Sequence, residues 1–289
     1  MRTGIAVPST ALPNPVRVGE GPHWDHDAGR LHWVDILAGT IHTSDPATGQ
    51  TKSITVPTLI GAAVPRRSGG FVAATREGFA TVDAHGTLDT RLAILSDGAR
   101  MNDAKCDSNG RLWAGSTAMK FTPGDGKLHV LLPDWTTHVA LEGLTLPNGL
   151  GWSPDSRTFY LVDTIEGELF RFAVDQTTTE LSQRRSLFRF PAEMGMPDGL
   201  TVDSAGCIWV AMWGGDRVVR ISPDGRLLTE IRISAHQLSS CAFGGEHLDE
   251  LYVTSAREGL ALNDDSPDGS VFVVHDLGAT GMRSKVFAG

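Results

Sequence analysis

Cysteine is scarce in this sequence. Of 289 residues only three are cysteine, Cys106, Cys207 and Cys241. An odd number with no CxxC pair cannot close into a complete disulfide framework or build a cysteine-based zinc site. Cys106 and Cys207 fall in apolar strand patterns, where buried, inert thiols are expected. Long hydrophobic runs are missing as well. The first stretch, MRTGIAVPSTALPNPVRV, breaks its apolar residues with Ser, Thr and Pro. It reads as neither a signal peptide nor a membrane span, and a cytoplasmic location is expected. Clusters of Lys and Arg are absent, and the formal net charge is -9. Without a basic patch to release counterions, neither nucleic acid nor an anionic membrane is an expected partner.

Several catalytic signatures are absent too. The ten histidines show neither the HxE nor the HExxH spacing of a zinc site. No GxSxG elbow occurs, and WGGDRV and FGGEHL lack the Lys and the strand-to-helix context of a phosphate loop, so they read as turns. No long stretch carries helical periodicity. Turn residues, by contrast, are plentiful: 33 Gly and 15 Pro fit a chain of many short strands. With 40% hydrophobic and 20% charged residues, the chain can bury a large core.

Those turns punctuate a repeat. Six segments share a turn followed by a short alternating run of apolar and aromatic residues: GRLHWVD (29–35), GGFVAAT (69–75), GRLWAGS (110–116), SRTFYLVD (156–163), GCIWVAM (206–212) and DELYVTS (249–255). Their spacing of roughly forty to fifty residues is the length of a four-stranded propeller blade. Each is followed by a second strand-like phrase, such as GTIHTSDPATG, GELFRFAVD or DRVVRISPDG, with the turn chemistry of antiparallel hairpins. The pattern predicts an all-β protein, a six-bladed β-propeller with four-stranded antiparallel blades around a central channel, as a single domain over residues 1–289. A β-sandwich or two stacked barrels would not need six matching segments. Ring closure is expected to pair a strand from residues 3–18 with the last repeat, which is otherwise short of an outer strand.

Within the repeat, LPNGLGWSPDS (146–156) and MPDGLTVDSAG (196–206) are nearly one phrase written twice, with Asn148 in the first where Asp198 stands in the second. Eight or nine residues before each common strand's turn stand Glu20, Gly61, Asn102, Asn148, Asp198 and Ser240. Equivalent positions in a propeller lie on one ring about its axis, so these residues are expected to converge at one mouth of the channel. Glu20, Asn102, Asn148 and Asp198 carry the carboxylate and amide oxygens that hard divalent cations take. With only two negative charges among Glu20, Asn148 and Asp198, such an ion keeps enough charge to polarise a substrate oxygen. Asn and Asp before Gly are ordinary turn residues in any one repeat, but four polar residues in register point to a site. Pro147 and Pro197 suit a stiff approach, and Gly149 and Gly199 a turn that brings backbone close to the axis. Arg100, two residues before Asn102, shares its face in an extended segment and suits an anion or polar substrate. Asp103 is placed to orient a neighbour or to ligate through water.

With GEGPHWD (19–25), RMNDAKCDSNGRLWAGS (100–116), LPNGLGWSPD (146–155), MPDGLTVDSAGCIWVAMWGGDRV (196–218) and CAFGGEHLDELYVTSAREG (241–259), the chain resembles the regucalcin/gluconolactonase family, which includes luciferin-regenerating enzymes. The resemblance covers nearly the whole length. It implies a six-bladed propeller that holds one divalent cation and hydrolyses small lactones of sugars or related esters. By the same resemblance Glu20, Asn148 and Asp198 are the metal ligands, and Arg100 and Asn102 contact substrate. Calcium is the first expectation for the ion, with zinc, manganese or magnesium as alternatives. Asp198 is expected to take a proton from the attacking water. The sequence departs from the family at GSTAMKFTPGDG, where Lys120 stands near a glutamate that binds sugar hydroxyls; a donor there for an acceptor alters which substrate is recognised. The partner implied is a small-molecule lactone. The alternatives are an organophosphate or ester hydrolase on the same scaffold, and a calcium-binding propeller without turnover.

Overall fold

Period-two alternation between Gly-, Asp- and Pro-rich turns becomes strand over nearly the whole chain. The computed structural model describes residues 7–13, 15–261 and 265–289. β1 (Val7–Leu12) comes first. The first four-stranded sheet contains β2 (Gly19–Asp25), β3 (Arg30–Asp35), β4 (Thr40–Asp45) and β5 (Gln50–Thr55). The second contains β6 (Ile60–Pro65), β7 (Phe71–Thr75), β8 (Gly78–Val82) and β9 (Leu88–Ala93). The third contains β10 (Ala99–Cys106), β11 (Leu112–Ala118), β12 (Gly126–Leu131) and β13 (Thr137–Leu144). The fourth contains β14 (Pro147–Trp152), β15 (Thr158–Asp163), β16 (Glu168–Val174) and β17 (Leu181–Arg189). The remaining strands are β18 (Met196–Val202), β19 (Ile208–Trp213), β20 (Arg217–Ile221), β21 (Leu227–Arg232), β22 (Gln237–Gly244), β23 (Glu250–Ala256) and β24 (Val271–His275). Among the described residues the one helical element is a three-residue 3-10 turn, Ala192–Met194, and no helix is long and apolar enough to cross a membrane.

The all-β expectation holds, and each common segment supplies the second strand of its group: β3, β7, β11, β15, β19 and β23. The expected separation into equal four-stranded units holds only for the first four. The last seven strands join β1 in one eight-stranded sheet. The join is a single residue pair, Trp213 with Gln237, because Trp213 at the end of β19 reaches the start of β22. On either side of it lie two four-strand groups, β18 to β21, and β22 to β24 with β1. β1 runs antiparallel to β24, pairing Pro8 with Val274 and Ser9 with Val273. This is the closing strand expected from residues 3–18; residues 3–6 lie outside the described part.

Apolar side chains from consecutive groups meet in six clusters among the described residues. Val34, Ile41, Ile60 and Phe71 join the first sheet to the second; Val72, Met101 and Leu112 join the second to the third. Trp113, Leu150 and Phe159 continue the series, as do Tyr160, Leu200 and Val210, then Trp209, Cys241 and Val253. The sixth cluster, Trp24, Leu31, Trp33, Tyr252 and Val271, joins the last group back to the first. The first strands touch in the same cycle, β2 to β6, β10, β14, β18, β22 and back to β2. All three cysteines are buried without a disulfide, Cys106 and Cys241 within these layers. Burial pushes the Cys241 thiol up to about 12, so it is an inert apolar filler.

Aspartates pin each group internally. In DSNGRLW the Asp107 carboxylate accepts from the backbone N–H groups of Asn109 and Arg111, from Arg111 Nε at 2.6 Å and from Trp113 Nε1 at 2.9 Å. In DSAGCIW Asp203 does the same for Ala205, Cys207 and Trp209 Nε1, and it also accepts from Arg220 at 2.6 Å. A tight turn and the adjacent strand are therefore tied to one buried carboxylate. Asp203 is fully buried, so removing it leaves several donors and the Arg220 charge without a partner. Asp203→Ala is expected to cost about 3 kcal/mol or more, measured as a lowered midpoint in urea; a change under about 0.5 kcal/mol, the size of a neutral surface substitution, would show that this carboxylate is not a structural pin.

Candidate functional site

The first strand of every group is irregular at the same point. The ladder shifts between Glu20 and His23, Ile60 and Ala62, Met101 and Ala104, Pro147 and Leu150, Pro197 and Leu200, and Leu238 and Ser240. Bulges leave residues unpaired and re-aim their side chains. The residues so released include Gly61, Asn102, Asp103, Asn148, Asp198 and Ser239, while Glu20 stands at the edge of its own bulge. Two further aspartates fix the approach to these strands. Asp35 accepts from the N–H groups of Arg17 and Val18 just before Glu20; Asp163 accepts from those of Thr145 and Leu146 just before Asn148.

At three glycines, neighbouring first strands approach too closely for any side chain. A Cβ on Gly61 would lie 2.3 Å from the Asn102 carbonyl oxygen, one on Gly149 would lie 2.4 Å from the Leu200 nitrogen, and one on Gly199 would lie 2.0 Å from Ser240 Oγ. Gly149 and Gly199 sit inside β14 and β18 rather than in turns, and neither has a positive φ. The turn expectation for them is thus corrected: close backbone approach, not turn conformation, requires glycine there.

Of the residues assigned to metal or substrate, Glu20, Arg100, Asn102, Asn148 and Asp198 line one cavity of about 290 Å³; Gly61 and Ser240, the other two ring positions, do not line it. Lys120 does not line it; it is exposed on the turn after β11. Its neighbour Phe121 lines the cavity instead, with φ of 53°. A bulky residue in that left-handed region costs on the order of 1–2 kcal/mol. Sequence reasoning also left out Thr164, Ile165, Met196 and Trp213, which complete the wall. Deeper lies Asp103, buried, and near it Lys105, whose Nζ donates to the Leu200 carbonyl.

Asn102 acts as a clamp. Its Oδ1 accepts from Arg100 Nη1 at 2.7 Å and its Nδ2 donates to the Pro147 carbonyl at 3.1 Å, which ties β10 to β14. Asn148 Nδ2 donates to Thr164 Oγ1 at 3.1 Å and also to Asp198 Oδ1. Asn148 Oδ1, Asp103 Oδ2 and Ser240 Oγ are buried with no hydrogen-bond partner. Burial, and then the charge of Asp103, lifts the Glu20 carboxyl to about 8. Burial followed by repulsion from Glu20 and Asp103 holds Asp198 well above the usual carboxylate range, and burial also raises Asp103. The same burial lowers the Arg100 guanidinium. One half-buried Arg and one Lys thus face three crowded carboxyl groups.

That environment fits a cation. An orphaned amide oxygen beside two carboxyl groups that resist ionisation lacks a positive centre with vacant coordination, which a divalent ion supplies. Glu20, Asn148 and Asp198 are the residues that could hold it. Among the described residues no three His, Cys, Asp or Glu side chains form a metal-holding group; this set has only two carboxylates and takes its third oxygen from an amide.

Residues 18–257 match the SMP-30/Gluconolactonase/LRE-like region. The chain belongs to this family. Among its relatives, 6-deoxy-6-sulfogluconolactonase of Pseudomonas putida is 37% identical over 282 residues, covering 95% of this chain and 96% of the relative. A luciferin-regenerating enzyme superposes with a TM-score of 0.91 at 31% identity, over 98% of this chain and 99% of that one. A calcium-binding protein, regucalcin, from Agrobacterium tumefaciens superposes with a TM-score of 0.89 at 28% identity, over 96% of both chains.

The raised Glu20 value has a definite sign. The folded pKa of about 8 lies above the ordinary 4.5, so the unfolded chain ionises first, and the metal-free protein loses stability as pH rises between those values. A cation needs the ionised form and therefore expels protons on binding. Calorimetric titration of calcium into chelated protein near pH 6.5, in buffers of different ionisation enthalpy, is expected to report release of about one proton or more per ion; heats independent of the buffer would contradict this electrostatic reading of the site.

Proposed function

We propose that the protein is a divalent-cation-dependent lactonase, built as a single-domain six-bladed β-propeller over residues 1–289 with its site in the central channel. The closed cycle of six apolar clusters supports the propeller. The observation that carries the chemistry is the orphaned Asn148 Oδ1 beside the raised carboxyls of Glu20 and Asp198, in a cavity that also holds Arg100. The relatives' names bring a sugar lactone and calcium to this chain as the reference substrate and first candidate ion.

Glu20, Asn148 and Asp198 would hold the ion. When bound, it supplies Lewis acidity to the lactone carbonyl and offsets the charge that develops on that oxygen. Asp198 has Oδ1 engaged by Asn148, which leaves Oδ2 to accept a proton from the attacking water and return it to the ring oxygen as the ester opens. Arg100 has Nη1 committed to Asn102 and the Met101 carbonyl; its remaining N–H groups orient the ester or an anionic part of the substrate. Asn102 holds Arg100 in place.

The test is pH-stat hydrolysis of a lactone panel by chelated protein with calcium, zinc, manganese or magnesium restored in turn, with an organophosphate triester alongside. Metal-dependent ring opening is expected. Asp198→Ala is expected to lower kcat/KM by ~10³-fold, as removal of both a base and a charged ligand requires, and Asn148→Ala by about 10- to 100-fold. Equal, modest losses in the two variants would contradict the role of Asp198. Cation binding without turnover of any substrate would favour the calcium-binding reading.

A further inference from the structure

The cavity beside the candidate cation site has an unusual wall. Phe121, Ile165 and Met196 are 40%, 46% and 43% exposed, and all three line this one cavity. Contiguous exposed apolar side chains around a concavity mark a ligand surface. Leu37, Leu146 and Trp213 continue the apolar lining inward.

Several polar groups of the wall are already committed. Glu258 gives its two carboxylate oxygens to Arg17, both at 2.9 Å. Thr164 Oγ1 accepts from Asn148, and Asn102 uses both ends of its amide. Arg100, whose Nε and Nη2 make no hydrogen bond among the described residues, offers donors to a ligand above the carboxyl floor, joined by Trp213 Nε1 and the Thr164 hydroxyl hydrogen. A polyhydroxylated ring would place hydroxyls against Phe121, Ile165 and Met196, which offer them no hydrogen-bond partner. An ester at the floor and a hydrocarbon group at the rim would match the wall at both ends.

A tight turn sets Phe121 at the rim: its N–H donates to the Ala118 carbonyl at 2.8 Å, and its backbone is left-handed, with φ of 53°.

We infer that the cavity selects a lactone whose ring bears an alkyl or aryl substituent, with Phe121, Ile165 and Met196 receiving that substituent, in preference to a polyhydroxylated sugar lactone. The inference rests on the lactonase reading above. Each methylene buried is worth about fourfold in selectivity, so a pentyl chain of which even half is covered gives roughly 30-fold.

The experiment compares cation-loaded protein on δ-decalactone, δ-valerolactone and glucono-δ-lactone, and measures calorimetric binding of the δ-decanolactam analogue, which needs no turnover. The kcat/KM for δ-decalactone is expected to exceed that for either other lactone by about 30-fold. In Phe121→Ser the ratio of δ-decalactone to δ-valerolactone falls about 10-fold and lactam affinity falls with it, while Phe121→Leu restores most of both. A preference for glucono-δ-lactone, or a ratio and lactam affinity that ignore Phe121→Ser, would overturn the inference and leave the lactonase reading standing. Lactam binding that depends on Phe121, with no lactone hydrolysed, would keep the apolar ligand class and remove the lactonase. Neither hydrolysis nor lactam binding would remove both.

Discussion

Crowded carboxyl groups held out of water are the constraint on which the rest of the site depends. Glu20, Asp103 and Asp198 are buried, and burial makes each resist ionisation, with carboxylate repulsion adding to it at Glu20 and Asp198. A fold tolerates such a cluster only where its framework is stiff and something compensates the charge. The stiffness comes from elsewhere: apolar layers between successive groups, and aspartates such as Asp107 and Asp203 that tie a turn, an indole and a guanidinium together. Asp35 and Asp163 carry that order to the strands that bear Glu20 and Asn148. Compensation is left to Arg100, Lys105 and the cation for which the unpartnered Asn148 oxygen is suited.

Much of the framework was legible because its physics is local. A turn followed by alternating apolar residues specifies a hairpin strand, and GRLHWVD and its five counterparts all became second strands. Register extends this: residues at one position of a repeat share one place in the cycle, which groups Glu20, Asn102, Asn148 and Asp198, and the two-residue spacing from Asn102 adds Arg100. The bulges that aim them were not legible, since the extra residue shows only when the partner strand is known. Nor was the reason for Gly149 and Gly199, because the Leu200 and Ser240 atoms that exclude a side chain lie on neighbouring strands far along the chain.

Two further differences come from single turns. Lys120 and Phe121 are adjacent, and a left-handed residue decides which of them faces the cavity; periodicity does not extend through such a turn. One residue at the end of β19, Trp213, reaches Gln237 and merges two four-strand groups that the repeat alone would keep apart. The same Trp213 lines the cavity, so the place where the repeat is least regular also shapes its wall.

The proposed function requires one cation among Glu20, Asn148 and Asp198. Anomalous diffraction from crystals grown with manganese tests it most directly. One peak is predicted, within ordinary ligation distance of a Glu20 oxygen, Asn148 Oδ1 and an Asp198 oxygen, and lost in Asp198→Ala. A peak only at the surface turn aspartates, or none at saturating manganese, would contradict the account.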